Sequence, residues 1–322
     1  MSCYYPLTAY RSPSKYGQTT IEFSSKFKDR YEEIKLPCGR CIGCRLDRSR
    51  KWAIRCMHEA QMYENNCFIT LTFNQESLEE RENPWSLDVK DFQLFMKRLR
   101  KKYGKGIRFY HAGEYGTICF DCGYSKKFCG CEQFNAWIGR PHYHACLFNH
   151  DFSDKKLFKI TDSGSRLYIS DSLSELWPYG FSSIGEVTFE SAAYVARYIM
   201  KKITGDMADT RYFDRDGVVV KPEYNTMSRR PGIGKPWLDK YKKDVYPHDY
   251  IIIHTSKGPQ KLRPPRFYDE NYKLERPYEF DDIVEKRIDK AKDNYENNTV
   301  ERLSVREKYQ KARLDLLPRE KI

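Results

Sequence analysis

The chain has 322 residues, with 57 Lys and Arg against 45 Asp and Glu, a net charge of +12 and a pI near 9.0. Hydrophobic residues make up 40%, aromatics 15% and mean hydropathy is −0.79, which gives a packed core and excludes an intrinsically disordered chain. No apolar run reaches the roughly 18 residues of a membrane-spanning helix.

The opening MSCYYPLTAYRS lacks the apolar stretch of a secretory leader, so an intracellular protein is expected. In a reducing compartment its 11 cysteines read as thiols or metal ligands, not as disulfides. Residues 1–37 read as irregular. From Arg45 to Glu64 the positions Leu46, Trp52, Ala53, Cys56, Ala60 and Tyr63 predict an amphipathic helix. Cys67–Phe73 (CFITLTF) predicts a strand. Ser86 or Asp88 caps the next helix, where Phe92, Phe95, Met96 and Leu99 share a face. Its other face begins a basic run, Lys97 to Arg108, with seven basic residues and no acid. Gly104 and Gly106 end that helix.

Strands follow at Ile107–Ala112, Pro141–Phe148 and Phe181–Phe189, with a short helix at Ser172–Trp177. Ser191–Ile203 is a helix bearing alanines and tyrosines. Lys221 to Arg266 is turn-rich and carries 11 basic and 4 acidic residues. It contains the strand-like Asp249–His254, and a last helix runs over about 281–317. Residues 281–322 hold 11 basic and 10 acidic residues, a solvated and nearly balanced tail. Phosphate contacts are therefore expected from 97–108 and 221–266. The pattern predicts an α+β fold, one sheet covered by helices. The expected organisation is a cysteine-containing extension and helix over 1–60, a catalytic domain over 61–205 with a Cys-rich insertion at 117–138, a basic DNA-contacting extension over 206–270 and a charged helical tail over 271–322.

His142 and His144 flank Tyr143 on a predicted strand, so both imidazoles project from one face. An H-x-H arises by chance in roughly one such chain in seven, so the pair needs support. Glu114, in HAGEYG, follows a neighbouring predicted strand and adds a carboxylate. Two imidazoles and a carboxylate hold a divalent cation with positions left open. Hydrogen-bonded surface histidines are the simpler alternative. Tyr194 and Tyr198 lie one turn apart on a predicted helix with Arg197, Lys201 and Lys202. That spacing occurs about twice by chance in so tyrosine-rich a chain. Aromatic packing is the simpler reading, weakened by Ala192, Ala193 and Ala196, which leave room for a backbone or ligand. Arg229, Arg230 and Lys235 are candidate DNA-backbone contacts. Gly232-Ile233-Gly234-Lys235 lacks the spacing of a phosphate-binding loop, so no nucleotide cofactor is expected. His111 reads as packing.

Pro141-His142-Tyr143-His144, preceded by Gly113-Glu114-Tyr115-Gly116 and followed by Tyr194-Val-Ala-Arg-Tyr198-Ile-Met-Lys201, resembles the two-tyrosine branch of the HUH endonuclease superfamily. CFITLTF resembles that family's first strand motif. LPCGRCIGCRLDRSRKWAIRCMHE, MSRRPGIGKPWLDKY and LRPPRFYD resemble the replication initiators of gokushovirus-type microviruses, small single-stranded DNA phages. The resemblance spans about residues 1–270. It implies an antiparallel sheet of about five strands, with His142, His144 and Glu114 as ligands for Mg or Mn. By the same resemblance Tyr194 and Tyr198 are the nucleophiles and Lys201 the basic residue after the second. Tyr143 is less apolar than is usual between the histidines. The implied activity is rolling-circle initiation. The enzyme nicks double-stranded replicative-form DNA at the origin, stays on the 5′ end and later cuts and circularises the displaced single strand. Host helicase and polymerase are the implied partners and the host bacterial cytoplasm the location, with no membrane.

Two cysteine clusters are candidate zinc sites: Cys38, Cys41 and Cys44, completed by Cys3, and Cys119, Cys122, Cys129 and Cys131 within the insertion. Cys56 falls to the following helix. Free thiols, or iron–sulfur ligation at the first cluster, are the alternatives. A zinc-stabilised basic DNA-binding protein without catalysis explains charge, aromatics and cysteines, and leaves the His and Tyr pairs as coincidence. A plasmid or transposon HUH nickase differs mainly in the flanking motifs, and an HNH-type nuclease would cleave without attaching itself.

Overall fold

The computed structural model describes residues 3–12, 20–126, 128–161, 164–201, 212–214, 216–255 and 258–315, with the side chains of 197–201 left out of the description. It is an α+β protein with a large antiparallel sheet. In chain order the elements are β1 Leu7–Arg11, β2 Ile21–Glu22, β3 Glu32–Leu36, α1 Ile42–Ala60, β4 Asn66–Thr72, α2 Gln75–Glu79, α3 Val89–Tyr103, β5 Arg108–Cys119 and β6 Ala136–Phe148. There follow β7 Lys156–Ile160, β8 Arg166–Ile169, α4 Asp171–Leu176, β9 Ser182–Gly185, α5 Phe189–Lys201, β10 Tyr224–Met227 and α6 Lys235–Val245. The hairpin β11 Ile251–Thr255 and β12 Gly258–Leu262 precedes α7 Arg266–Glu275, α8 Pro277–Lys292 and α9 Val300–Asp315.

Two compact units are present. One comprises Met1–Lys51 and Leu238–Glu320, the other Trp52–Trp237. In the second, seven strands form one sheet in the order β10-β5-β6-β4-β9-β8-β7, with antiparallel pairing throughout. The sheet is therefore wider than the expected five strands. β7, β8 and β10 are short and half-exposed or exposed, so their apolar alternation is weak in the sequence.

Strand alternation sorts the sheet's two faces. On one, Ile69, Leu71, Tyr143, Ala145 and Leu147 pack with Phe92, Phe95, Met96 and Leu99 of α3 and Leu173 and Leu176 of α4. On the other, Phe68, Tyr110, Ala112, Cys146 and Phe148 pack with Ala53 and Cys56 of α1 and Ala192, Val195 and Ala196 of α5. Each fully buried side chain of this size contributes on the order of 1.5–3 kcal/mol.

Local chemistry sets the ends. Asp88 caps α3 by accepting the Lys90 N–H, and Gly104 at φ 100° stops it. Thr188 and Ser191 cap α5 reciprocally: Ser191 N–H donates to Thr188 Oγ1 and Thr188 N–H to Ser191 Oγ. That cap, together with Ser191 Oγ donating to Glu186 O, cuts β9 short of the expected Phe189. β6 starts earlier than expected, at Ala136. Its Pro141 lies just past the end of β4, where Thr72 pairs with His142, so on that side no ladder bond is lost.

In the other unit, residues 1–37 are not wholly irregular: β1 pairs with both β2 and β3. The last helix is two helices, separated by a 3-10 turn at Tyr295–Asn298. Asn298 donates to Asn294 O and Thr299 Oγ1 accepts the Arg302 N–H, so local Asn and Thr bonds replace helix continuation. Arg287 pairs with both Asp249 and Asp269 in this unit. Among the described residues no helix is long and apolar enough to cross a membrane.

Candidate active site

Register builds the site. β5 and β6 place Glu114 opposite His142 and Ala112 opposite His144, while β4 places Thr70 on the far side of His144. Directly paired residues share a face, so Glu114, His142, His144 and Thr70 project together, on the face that α5 covers. Glu114 and His144 are buried, and His142 is partly exposed.

One carboxylate oxygen is the focus. Glu114 Oε1 lies 2.5 Å from His142 Nε2, 2.8 Å from His144 Nε2 and 3.4 Å from the Tyr194 hydroxyl, which donates to it. His142 Nδ1 lies 3.2 Å from the Arg140 carbonyl, which can only accept, so Nδ1 carries the proton and Nε2 keeps a lone pair facing Glu114. His144 Nδ1 meets Thr70 Oγ1 at 2.9 Å, and its ring sits against Phe68 and edge-on to Tyr194. Burial opposes ionisation of Glu114, but the His144 and His142 imidazoles outweigh it and hold the carboxyl at about 2.

The donor set fits a divalent cation. The three ligand atoms lie within 4.8 Å of one another, and the buried Glu114 Oε2 has no hydrogen-bond partner. Each imidazole is oriented through its other nitrogen, as in metal sites generally. Two His and one carboxylate leave positions open, which is the arrangement of a catalytic centre and not of a closed structural one.

α5 carries Tyr194 to the site. Ala192 and Ala196 are fully buried against the sheet, so the room expected beside the tyrosines is used by helix–sheet packing. Arg197, Tyr198 and Lys201 belong to α5, beyond Tyr194, and their side chains lie outside the described residues. Lys202 lies outside the described residues altogether.

A family model whose description begins "Replication-associated protein ORF2" matches residues 123–203, which contain both histidines and both tyrosines. The chain is 33% identical over 264 residues to the replication-associated protein VP4 of Bdellovibrio phage phiMH2K, covering 79% of this chain and 72% of that protein. It is 31% identical over 307 residues to the replication-associated protein ORF2 of Spiroplasma virus 4, covering 91% and 87%. The chain belongs to the family of phage replication-associated proteins. A third relative, the replication-associated protein ORF4 of Chlamydia phage 1, is 32% identical over 196 residues, 56% of this chain and 43% of that protein. No solved structure matches.

In this replication-associated protein the basic residues lie away from the carboxylate and histidines. The α3 run covers the opposite sheet face, which corrects the expectation that it surrounds the site. Several of its members are also engaged: Arg98 donates to Leu176 O, Arg100 to Ile107 O, Lys102 pairs with Glu175 and Arg108 with Glu59. Arg229 and Arg230 are exposed and follow Ser228, which bonds to Phe109, five residues before Glu114 on β5. At strand rise that separates them from the site by about 17 Å. Lys235 is half-buried at the start of α6. In the preceding glycine loop, Gly234 N donates to Glu59 Oε2 at 2.6 Å, in keeping with its not being a phosphate loop. His111 points to the α3 face, stacked on Phe92 with centroids 3.6 Å apart.

Two contributors escape sequence reasoning. Thr70 orients His144, and only the β4–β6 register reveals it. Arg140 lies two residues before His142 on the same face, with its guanidinium held by Phe73 O and Gln75 Oε1. Its place in GRPHYH was a signal available in the sequence. Both cysteine clusters assemble: Cys3, Cys38, Cys41 and Cys44, and Cys119, Cys122, Cys129 and Cys131. Cys56 instead lies in the core under α1, beside Cys146.

Proposed function

We propose that the chain is a rolling-circle replication initiator of the two-tyrosine HUH class, which nicks and rejoins DNA through a tyrosine ester. The observation that carries this reading is the convergence of His142 Nε2, His144 Nε2 and the Tyr194 hydroxyl on Glu114 Oε1. A noncatalytic DNA-binding protein has no use for a buried, orphaned carboxylate oxygen aimed at two oriented imidazoles.

Glu114, His142 and His144 would hold Mg or Mn. A divalent cation there supplies Lewis-acid polarisation of a phosphodiester and neutralises charge as it builds on the phosphate oxygens. The remaining steps belong to the chain. Tyr194 is presented edge-on to His144 by a helix whose alanines seat it close on the sheet. Its hydroxyl oxygen attacks phosphorus, the bond from phosphorus to the 3′ oxygen breaks, and the phenolic proton ends on that oxygen. The products are a 5′-phosphotyrosine and a free 3′-hydroxyl. The ester keeps a phosphodiester linkage, so attack by a 3′-hydroxyl reverses the step and joins strands. Tyr198, one turn along α5, is the second nucleophile, which permits a second cut before the first ester is resolved, and Lys201 is the accompanying cation. Arg197, Lys202, Arg229, Arg230 and Lys235 would contact DNA backbone.

On this reading the catalytic domain lies within 61–205. The substrates are single-stranded and replicative-form DNA at the phage origin, in the host cytoplasm, with unwinding and synthesis supplied by host helicase and polymerase. The test is incubation of the full chain with single-stranded origin DNA and Mn²⁺, followed by denaturing electrophoresis and peptide mass analysis. An EDTA-sensitive adduct on Tyr194 or Tyr198, impaired in each single Phe variant and absent from Tyr194→Phe/Tyr198→Phe, is expected. Binding without an adduct returns the noncatalytic reading. Cleavage without attachment indicates a hydrolytic nuclease. An adduct surviving in the double variant refutes the tyrosine assignment.

A further inference from the structure

Both cysteine clusters lie outside the Glu114 site, and the reaction uses neither. We propose that the chain carries two structural tetrathiolate zinc ions, one per unit, of unequal lability.

Geometry argues first. Within each cluster the four Sγ atoms lie within 4.8 Å of one another. The closest pairs are Cys38–Cys44 at 4.0 Å and Cys3–Cys41 at 3.9 Å in one cluster, and Cys119–Cys131 at 4.0 Å and Cys122–Cys129 at 3.6 Å in the other. A tetrahedron with Zn–S bonds of about 2.3 Å has edges of about 3.8 Å. A disulfide brings its sulfurs to about 2.05 Å, and none of the 11 cysteines is bridged. Cys56, Cys67 and Cys146 show the other way this chain uses cysteine: each is buried among apolar side chains and belongs to no cluster.

Backbone donors argue second. In the N-terminal cluster, Cys38 N points at Cys3 Sγ (3.2 Å), Tyr4 N and Cys44 N at Cys41 Sγ (3.4 and 3.5 Å), and Cys41 N at Cys38 Sγ (3.4 Å). Four N–H groups aimed at sulfur suit thiolates, since a neutral thiol is a weak acceptor. Binding Zn²⁺ converts four thiols to thiolates with release of their protons and leaves a net charge of −2 on the centre, which those donors offset.

The surroundings argue third. The hairpin tip after β5 exposes Phe120, Tyr124 and Phe128, and Trp137 stands beside it at the start of β6, so burial cannot fix the tip. The strands β1–β3 bury only Ala9 and Tyr10. A segment that lacks a core needs another constraint, and metal-binding free energy is folding free energy in such segments. The two centres differ in access. Cys3, Cys41 and Cys44 are buried, whereas in the hairpin only Cys119 is.

The experiment is elemental analysis of the untagged full chain purified without chelator, with zinc release followed by a chromogenic chelator. Two equivalents of zinc are expected. Cys122→Ser/Cys129→Ser should lose one equivalent, namely the faster-released one, and Cys38→Ser/Cys41→Ser the slower one. Because the second variant disrupts the unit that contains it, X-ray absorption of the wild-type protein is the independent measurement. A first shell of four sulfurs near 2.3 Å is expected. Sub-stoichiometric zinc, nitrogen or oxygen ligands, iron in place of zinc, or release of both equivalents at one rate would overturn the proposal.

Discussion

Thr70→Val isolates the orientation of His144. The change keeps volume and branching but removes the hydroxyl that meets His144 Nδ1 at 2.9 Å. The ring keeps its contacts with Phe68 and Tyr194, so it stays in place but loses the partner that fixes which nitrogen bears the proton. A nitrogen left without its partner costs roughly 1–3 kcal/mol, and because Thr70 is only half-buried, water offsets part of this. Folding should therefore weaken by about 1 kcal/mol, or about 2–4 °C in the melting of a unit this size. Metal affinity should fall further. Losing the partner of a metal-ligating His lowers affinity about 10–100-fold, which is about 1.4–2.8 kcal/mol. Adduct formation measured against Mn²⁺ concentration separates the two effects. The half-saturating concentration should rise at least about tenfold while the rate at saturating Mn²⁺ stays near wild type. Thr70→Ser, which keeps the hydroxyl, should restore the wild-type curve. An unchanged half-saturating concentration in Thr70→Val, or a Ser variant as impaired as the Val variant, would refute the reasoning.

Glu59 is fully buried, pairs with Arg108 and accepts the Gly234 N–H. Glu59→Gln therefore leaves a guanidinium uncompensated and should cost about 3–5 kcal/mol in urea unfolding; a loss under about 1 kcal/mol would show the pair to be dispensable. Gly180 has φ 156°, and a Cβ there would fall 2.4 Å from both Asn74 N and Thr72 O. Gly180→Ala should thus destabilise by at least about 2 kcal/mol and lower the yield of folded protein, and wild-type stability would contradict the close approach. Arg229→Ala/Arg230→Ala, about 17 Å from the site, should weaken DNA binding and flatten its salt dependence by about one unit of slope per residue. The single-turnover rate at saturating DNA should not change, and a slowed rate would place the pair at the scissile phosphate.

What the sequence discloses follows how locally each feature is determined. α3 is legible because its cap, its stripe and its terminating glycine all lie within one short segment. The His pair is legible because i and i+2 on a strand share a face whatever its neighbours are. Glu114 needed one further assumption, that its strand pairs with β6, and the register supplies it. Thr70 needed a second pairing, which no local pattern encodes. The strands β1–β3 escaped notice because their outward residues face solvent on most positions, so the period-two signal is missing. The basic run on α3 misled for a related reason. Counting locates charge along the chain, but which sheet face a helix covers is decided by side chains far away in sequence, here Ile69, Leu71, Tyr143 and Leu147.

The β5–β6 pair explains why one hairpin supports a buried site at one point and an open cysteine loop at another. Up to Tyr115 and Pro141 the ladder is regular, and regularity is what puts Glu114 opposite His142. Immediately beyond, the register shifts between Tyr115 and Thr117, and a bulge of this kind bends and twists the strands away from their flat course. Ligands set before the shift keep the fixed spacing that a metal requires. Residues after it leave the packed sheet, and Cys119 is the last buried position of the strand. On the covered side, Ala112 lies opposite His144 and faces Ala192, Val195 and Ala196 in one apolar cluster. Small side chains on both surfaces set how close α5 approaches, and the 3.4 Å between Tyr194 and Glu114 depends on that approach. The alanines that first suggested space for a ligand are therefore better understood as the spacers that bring the nucleophile down to it.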